Sequence, residues 1–398
     1  MLLVHNLYQR PGGEDRVFEA EGRILEANGH AVERLVVSND AVEGRSRLGL
    51  AATTVWSREG HDAVETAARV HRADVVHFHN TLPLISPAGY YGARAAGAAV
   101  VQTLHNYRLI CPGALLHRDG APCEECVGKA FASAGVRHGC YRGSRAATLA
   151  VATMTATHRA MGTWATAVDR YIAITPFARD RFIEGGLPSG RVAIKPNPLA
   201  DDPGMGRGAG GYALFVGRLD IGKGVQTLLA AWEAHPDLPP LVLVGDGPER
   251  PLVEAAVARV GDRIRFVGWQ ESAAVLDFVG DAAMLVFPSE LYEGGTPMTI
   301  VEAFARGLPV AASDRGAARG LVTEGETGTC FTPGDPDALA AAVQRLVTHA
   351  DTQGAMRHAA RRHYEDRFAA RPNHESLTRI YHEALATRHA GDRRGATG

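Results

Sequence analysis

Between Phe287 and Val310 the chain reads Phe-Pro-Ser-Glu-Leu-Tyr-Glu-Gly-Gly-Thr-Pro-Met-Thr-Ile-Val-Glu-Ala-Phe-Ala-Arg-Gly-Leu-Pro-Val. Two carboxylates here, Glu293 and Glu302, can accept hydrogen bonds from paired hydroxyls such as those of a sugar ring or a ribose. Gly294, Gly295 and Thr296 between them permit close backbone approach and present N–H groups at a helix start, where anions and oxygen-rich ligands bind. The sequence places Glu302 on the first turn of that helix. A second constellation is Phe215-Val-Gly-Arg-Leu-Asp220 followed by Gly222-Lys-Gly224. Arg218 can fork two hydrogen bonds to phosphate oxygens and Lys223 can add a point charge. Loop cations are usually solvated. Their place between a strand end and a helix start favours a diphosphate clamp instead.

His105 closes the run Val100-Val-Gln-Thr-Leu104, at the carboxyl end of an expected strand. A histidine at a strand end facing a cleft is a candidate catalytic residue as well as a candidate structural one. His77 and His79 alternate on one face of another strand and are expected to line an acceptor site. Gly12-Gly13-Glu14 forms a tight turn before a helical pattern through Val17, Ala20, Ile24 and Leu25, without the full dinucleotide fingerprint. Of five cysteines, Cys111, Cys123, Cys126 and Cys140 fall close together, and Cys123-Glu-Glu-Cys126 has the gap of one tetrahedral metal corner. Structural zinc is the leading reading, with His117 and His138 as substitute ligands; buried free thiols and a redox pair are the alternatives. Cys330 stands in an apolar context that suits core packing.

Two sets of short apolar runs alternate with helical patterns, the signature of parallel sheets wrapped by helices. The first set is Leu2–Val4, Ala31–Val37, Val75–Phe78, Ala99–Leu104, Arg170–Ile174 and Val192–Lys195. The second is Tyr212–Val216, Leu241–Val244, Ile264–Val267, Met284–Phe287, Val310–Ala312 and Gly328–Phe331. Glycine-rich 199–211 reads as a linker between a first domain, 1–198 with a cysteine-rich insert at 108–145, and a second, 212–370. Residues 371–398 are expected to form a helix packing back on the first domain, with a frayed polar tail from Arg388. Two doubly wound domains would leave a cleft at the carboxyl ends of their strands, where ligands bind.

At 398 residues, 45% hydrophobic and 22% charged, the composition is that of a globular protein with ample core. A net charge of −2 gives no reason to expect nucleic acid. No apolar run of about 18 residues and no signal peptide are found, so a cytoplasmic enzyme is expected. Between Lys129 and Arg159 the chain carries Arg137, Arg142, Arg145 and His158 with no acidic residue. That basic stretch suits peripheral contact with anionic lipid at the inner face of a membrane.

The ordered set Phe-Val-Gly-Arg-Leu…Gly-Lys-Gly, Leu-Val-Gly-Asp-Gly-Pro-Glu249, Ile264-Arg-Phe-Val-Gly-Trp269 and the Phe287–Val310 segment resembles the retaining glycosyltransferases of family four. Pro11-Gly-Gly-Glu14 and Asn28-Gly-His30 match the family's opening, so the resemblance covers nearly the whole chain. It implies an α/β fold of the two-domain GT-B type and transfer of a sugar from a nucleoside diphosphate to a carbohydrate or lipid-linked acceptor. Arg218 and Lys223 would hold the diphosphate, Glu302 the ribose and the Glu293 loop the sugar. Gly13 and His105 would approach the donor from the first domain. Two cations on the leaving group would make a catalytic metal unnecessary. In two places the sequence departs from the family: Glu293 and Glu302 stand one residue further apart than usual, and Asn106 follows His105 where Asp is common. A non-catalytic, metal-stabilised sugar-nucleotide-binding protein and a GT-B epimerase are the alternative readings.

Overall fold

The computed structural model describes residues 1–9, 12–293, 295–348 and 350–395. It divides into two compact units: residues 1–116, 123–200 and 370–398, and residues 117–122 and 201–369.

In the first unit the strands are β1 (Leu2–Leu7), β2 (Glu33–Ser38), β3 (Val75–Asn80), β4 (Ala99–Leu104), β5 (Arg170–Ala173) and β6 (Val192–Ile194). They form one all-parallel sheet in the order β2-β1-β3-β4-β5-β6. Every residue of β3 and β4 is buried, because helices cover both faces of a parallel sheet. His77, His79 and Asn80 therefore lie in a buried strand, where polar groups look for partners inside the protein. The opening helix, Gly13–Ala27, buries Val17, Phe18, Ile24 and Leu25. Its start is fixed by Asp15, whose carboxylate accepts from the Gly12 N–H at 2.6 Å. The closing helix, Ala370–Gly395, brings Leu377, Ile380, Tyr381 and Ala384 against Leu3, Val75, Val101 and Ile172. The helix runs on past Arg388, where fraying was expected, and 396–398 lie outside the described residues.

The second unit carries β7 (Ala213–Val216), β8 (Leu241–Val244), β9 (Ile264–Gly268), β10 (Met284–Phe287), β11 (Val310–Ser313) and β12 (Gly328–Phe331). This sheet is also all parallel, in the order β9-β8-β7-β10-β11-β12. Its core gathers Phe215, Leu228, Trp232, Leu243, Val286, Leu339 and Val343. The strand order reverses between β7 and β10, the kind of switch point at which crevices form in open parallel sheets.

Residues 201–211, expected as part of a linker, are strapped to the second unit. Gly206, Gly208 and Gly210 donate their N–H groups to Arg306, Gly280 and Asp281 carbonyls at 2.7–2.9 Å. Arg361 grips Asp202 through two nitrogens. The glycines serve proximity rather than flexibility, since a Cβ on Gly206 would stand 2.4 Å from the Gly280 carbonyl oxygen.

A comparable constraint joins the two loops at the reversal. Gly224 has a φ of +70°, and a Cβ there would lie 2.0 Å from the Pro288 carbonyl oxygen. Gly224→Ala is expected to destabilise the second unit by about 2 kcal/mol or more, from backbone strain and displaced loops. Urea unfolding checks this, and an unchanged midpoint would contradict the close approach.

Candidate functional site

The chemistry of the second unit collects at the β7/β10 reversal. Arg218 leaves the end of β7 with its side chain 62% exposed and its Nε 3.0 Å from the Asp220 carboxylate. Lys223 ends a short turn, Ile221–Lys223, just before the helix Val225–Ala234. From the other side comes the loop after β10. The Lys223 ammonium reaches Glu293 Oε1 at 2.6 Å, and the Ser289 hydroxyl donates to the same oxygen at 2.6 Å. Glu293 has a φ of +35°, rare for a side-chain-bearing residue. In that conformation the carboxylate lies beside Lys223. Gly295 and the buried Thr296 precede the helix Met298–Ala305. Gly294 lies outside the described residues. Glu302 is buried on the second turn of that helix, because Pro297 delays its start; the first-turn placement is corrected. Glu290 is engaged elsewhere, accepting from Thr227 Oγ1 at 2.8 Å.

In the first unit the strand order reverses between β1 and β3. Gly13 begins the opening helix beside that reversal, and a Cβ there would meet nothing within 4 Å, which leaves space for a ligand. His105, just beyond β4, lines a small cavity with His79, Asn80, Gln102 and Asn106. Burial holds its imidazole down at about 3, with the positive potential of neighbouring His5 and Lys195 adding to the effect. It is neutral at any physiological pH, so it offers a lone pair rather than a charge. Asn106 explains its own presence. Its side-chain oxygen accepts from the Arg108 N–H at 3.1 Å, and its amide donates to Glu14 Oε1 at 2.7 Å. An Asp here would set two carboxylates against each other. Glu14 also accepts from Tyr8 at 3.0 Å, and burial pushes its carboxyl above the ordinary range.

His77 and His79 share a face as expected, but that face is interior. His77 bonds Tyr381 at 2.9 Å and Thr103 at 2.7 Å, and it is fully buried away from the cavity. His79 does reach the cavity and bonds His105 at 3.0 Å. In the expected basic surface Arg137, Arg142 and Arg145 are exposed, whereas His158 is buried against Thr163 and the Val55 carbonyl. The four clustered cysteines all belong to the first unit, and none of them is in a disulfide. Burial raises the Cys126 thiol, and Cys111, Cys140 and Cys123 raise it further, so all four share one neighbourhood. They do not form a closed ligand set: among the described residues, the only sets of three or more ligand atoms within 4.8 Å of one another are Glu21–His77–His79 and His61–Asp62–Glu65.

Residues 210–349, the stretch that holds the β7/β10 reversal, match the family model for glycosyl transferases group 1. The lipopolysaccharide core biosynthesis glycosyltransferase LpsE of Rhizobium meliloti is 28% identical over 210 residues, 52% of this chain and 58% of that one. The D-inositol 3-phosphate glycosyltransferase of Corynebacterium urealyticum is 32% identical over 38% of this chain and 39% of its own. The chain thus spans about half the length of the curated relatives it matches. Among solved structures, Anabaena HepE in complex with UDP and glucose is similar at TM-score 0.65 and 18% identity, over 96% of this chain and 99% of that one. A glycosyltransferase from Rickettsia africae reaches 0.69 at 14% identity, over 96% and 98%. Two six-stranded parallel sheets of this kind are the GT-B fold the sequence led us to expect.

Sequence reasoning missed Glu21 and Lys195, which are ion-paired in the interior of the first unit with side chains 0% and 1% exposed. A signal was present: Glu21 falls on the apolar stripe Val17, Ala20, Ile24 and Leu25, where a charge must be buried and paired. Around this pair burial holds His5, His77, His79 and His105 below the ordinary histidine value. The unfolded chain protonates these rings below about pH 6.5 while the folded protein does not, so unfolding takes up protons there. Stability is therefore expected to fall as pH drops from 7 to 5, by up to about 1.4 kcal/mol per pH unit for each ring. Denaturant titrations across that range check this, and a flat profile would contradict the neutral interior.

Proposed function

We propose that this chain is a retaining glycosyltransferase, moving a sugar from a nucleoside-diphosphate donor to an acceptor hydroxyl. The observation that carries the reading is the meeting of Lys223 with Glu293, with Arg218 leaving the neighbouring strand end, at the β7/β10 reversal within the stretch that matches the group 1 model. The two cations would take the diphosphate, and their charge would stabilise it as it leaves. With donor bound, Lys223 would turn to phosphate and release Glu293 to the sugar hydroxyls, while Glu302 would hold the ribose. Thr296 and Gly295 would present backbone N–H groups to the donor. HepE's complex with UDP and glucose supports a uridine nucleotide as the first donor to test. His105, a neutral acceptor and no carboxylate nucleophile, favours departure and attack on one face over a covalent intermediate.

The acceptor would be a carbohydrate or a lipid-linked glycan, at the cytoplasmic face of a membrane. Exposed Arg137, Arg142 and Arg145, with Leu149 47% exposed beside them, support peripheral contact with anionic lipid. No helix among the described residues is long and apolar enough to cross a membrane.

Arg218→Ala and Lys223→Ala should each weaken nucleoside-diphosphate binding by roughly 1.5–3 kcal/mol, the worth of a charge-assisted hydrogen bond. Calorimetric titration with UDP checks this; wild-type affinity in both variants would remove the clamp.

The same reading assigns structural zinc to Cys111, Cys123, Cys126 and Cys140. Thiolates fit the ion, and the shared neighbourhood of the four residues supports the site; binding would draw their sulfurs together to tetrahedral distances. Metal analysis should find about one zinc per chain, lost in Cys123→Ser/Cys126→Ser. Metal-free wild type with four titratable thiols would contradict it.

A further inference from the structure

The interior of the first unit holds a chain of polar groups that ends on His105, and nothing in the donor chemistry accounts for it. We infer that Glu21 and His79 are positioning residues for His105: the Glu21–His79–His105 chain fixes His105 as its Nε2–H tautomer and leaves Nδ1 as the acceptor. The tautomer assignment stands on geometry; only its use in sugar transfer rests on the function proposed above.

The chain starts from the buried ion pair of Glu21 with Lys195. The Lys195 ammonium places its three hydrogens on Glu21 Oε1 at 2.5 Å, Asn373 Oδ1 at 3.2 Å and the Pro196 carbonyl at 3.3 Å. Three acceptors match the three hydrogens of an ammonium, with Glu21 as its carboxylate partner. Glu21 Oε2, fully buried, has no hydrogen-bond partner. Two rings face it: His79 Nε2 at 3.5 Å and His77 Nδ1 at 3.9 Å. His77 spends both nitrogens on Tyr381 and Thr103. His79 Nε2 is itself buried and without a hydrogen-bond partner. It is the one ring atom left to serve the carboxylate.

Two neutral tautomers of His79 are then compared. With the proton on Nδ1, the Nε2 lone pair would face a carboxylate lone pair inside the protein, with neither group satisfied. With the proton on Nε2, the positive end of an N–H dipole lies 3.5 Å from the anion. In a medium of low dielectric the second arrangement wins. His79 Nδ1 then carries a lone pair, and the 3.0 Å contact to His105 Nε2 requires the hydrogen to sit on His105. One carboxylate thereby sets the proton position two rings away, at the cavity. The same atoms offer a metal less: although Glu21, His77 and His79 present ligand atoms within 4.8 Å, a lysine ammonium already holds the carboxylate and His77 has no free nitrogen.

The test reads tautomers directly, on the ligand-free full chain labelled with nitrogen-15 histidine, with His105 assigned by the signals lost in His105→Asn. Protonated and unprotonated ring nitrogens have well-separated shifts, so the wild-type spectrum should show His105 as Nε2–H. Glu21→Gln is the sharper arm. Its amide oxygen would keep Lys195 and its NH2 group would donate to His79 Nε2, reversing every bond and moving the His105 proton to Nδ1. A wild-type His105 protonated on Nδ1 or on both nitrogens, or an unchanged tautomer in folded Glu21→Gln, overturns the inference. Should Glu21→Gln not fold, the wild-type spectrum decides. Turnover in folded Glu21→Gln, expected to fall roughly tenfold or more as for other lost outer-shell partners, tests the use of His105 in transfer and so the proposed function.

Discussion

The first unit is organised around the buried ion pair between Glu21 and Lys195. Glu21 comes from the opening helix, Lys195 from the chain just after β6, and Asn373, which completes the ammonium's partners, from the closing helix. Segments far apart in sequence are tied to one point. A pair so placed is weak evidence for net stability, because desolvating two charges costs about as much as their attraction returns. Removing one partner is another matter and costs about 3–5 kcal/mol, since the other charge is left alone. The pair's value is specificity of arrangement. It dictates which polar residues β3 and β4 can carry, and how His77, His79 and His105 must hydrogen-bond.

The second unit meets a different constraint, set by backbone proximity rather than charge. Gly224 lies so near the Pro288 carbonyl that a methyl group has no room, and the loops after β7 and β10 are thereby held together. Lys223 and Glu293 meet as a consequence. The strand order supplies the crevice, the glycine supplies the approach, and the charged residues would supply the ligand chemistry. No single residue type would suffice.

Much of this was legible in the chain. The strands of both sheets are short apolar runs ended by Gly, Pro or a polar residue, and twelve such runs located twelve strands within a few residues. Arg218, Lys223 and Glu293 were legible because glycine spacing marks a loop that must come close to something. Other features turned on contacts that the local sequence does not encode. Residues 201–211 look like a tether, but their glycines lie against Gly280 and Arg306. His77 looked like a ligand-facing residue until Tyr381, from the far end of the chain, covered it. Asn106, a departure from the expected Asp, became intelligible only beside Glu14.

The central claim is that the β7/β10 reversal holds a nucleotide sugar and that its sugar is transferred with retention. It is tested most directly by following the anomeric proton during reaction of UDP-glucose with the wild-type chain, with water as the simplest acceptor. The account predicts that the first glucose released has the α configuration of the donor, before mutarotation sets in. Release of β-glucose first would contradict it.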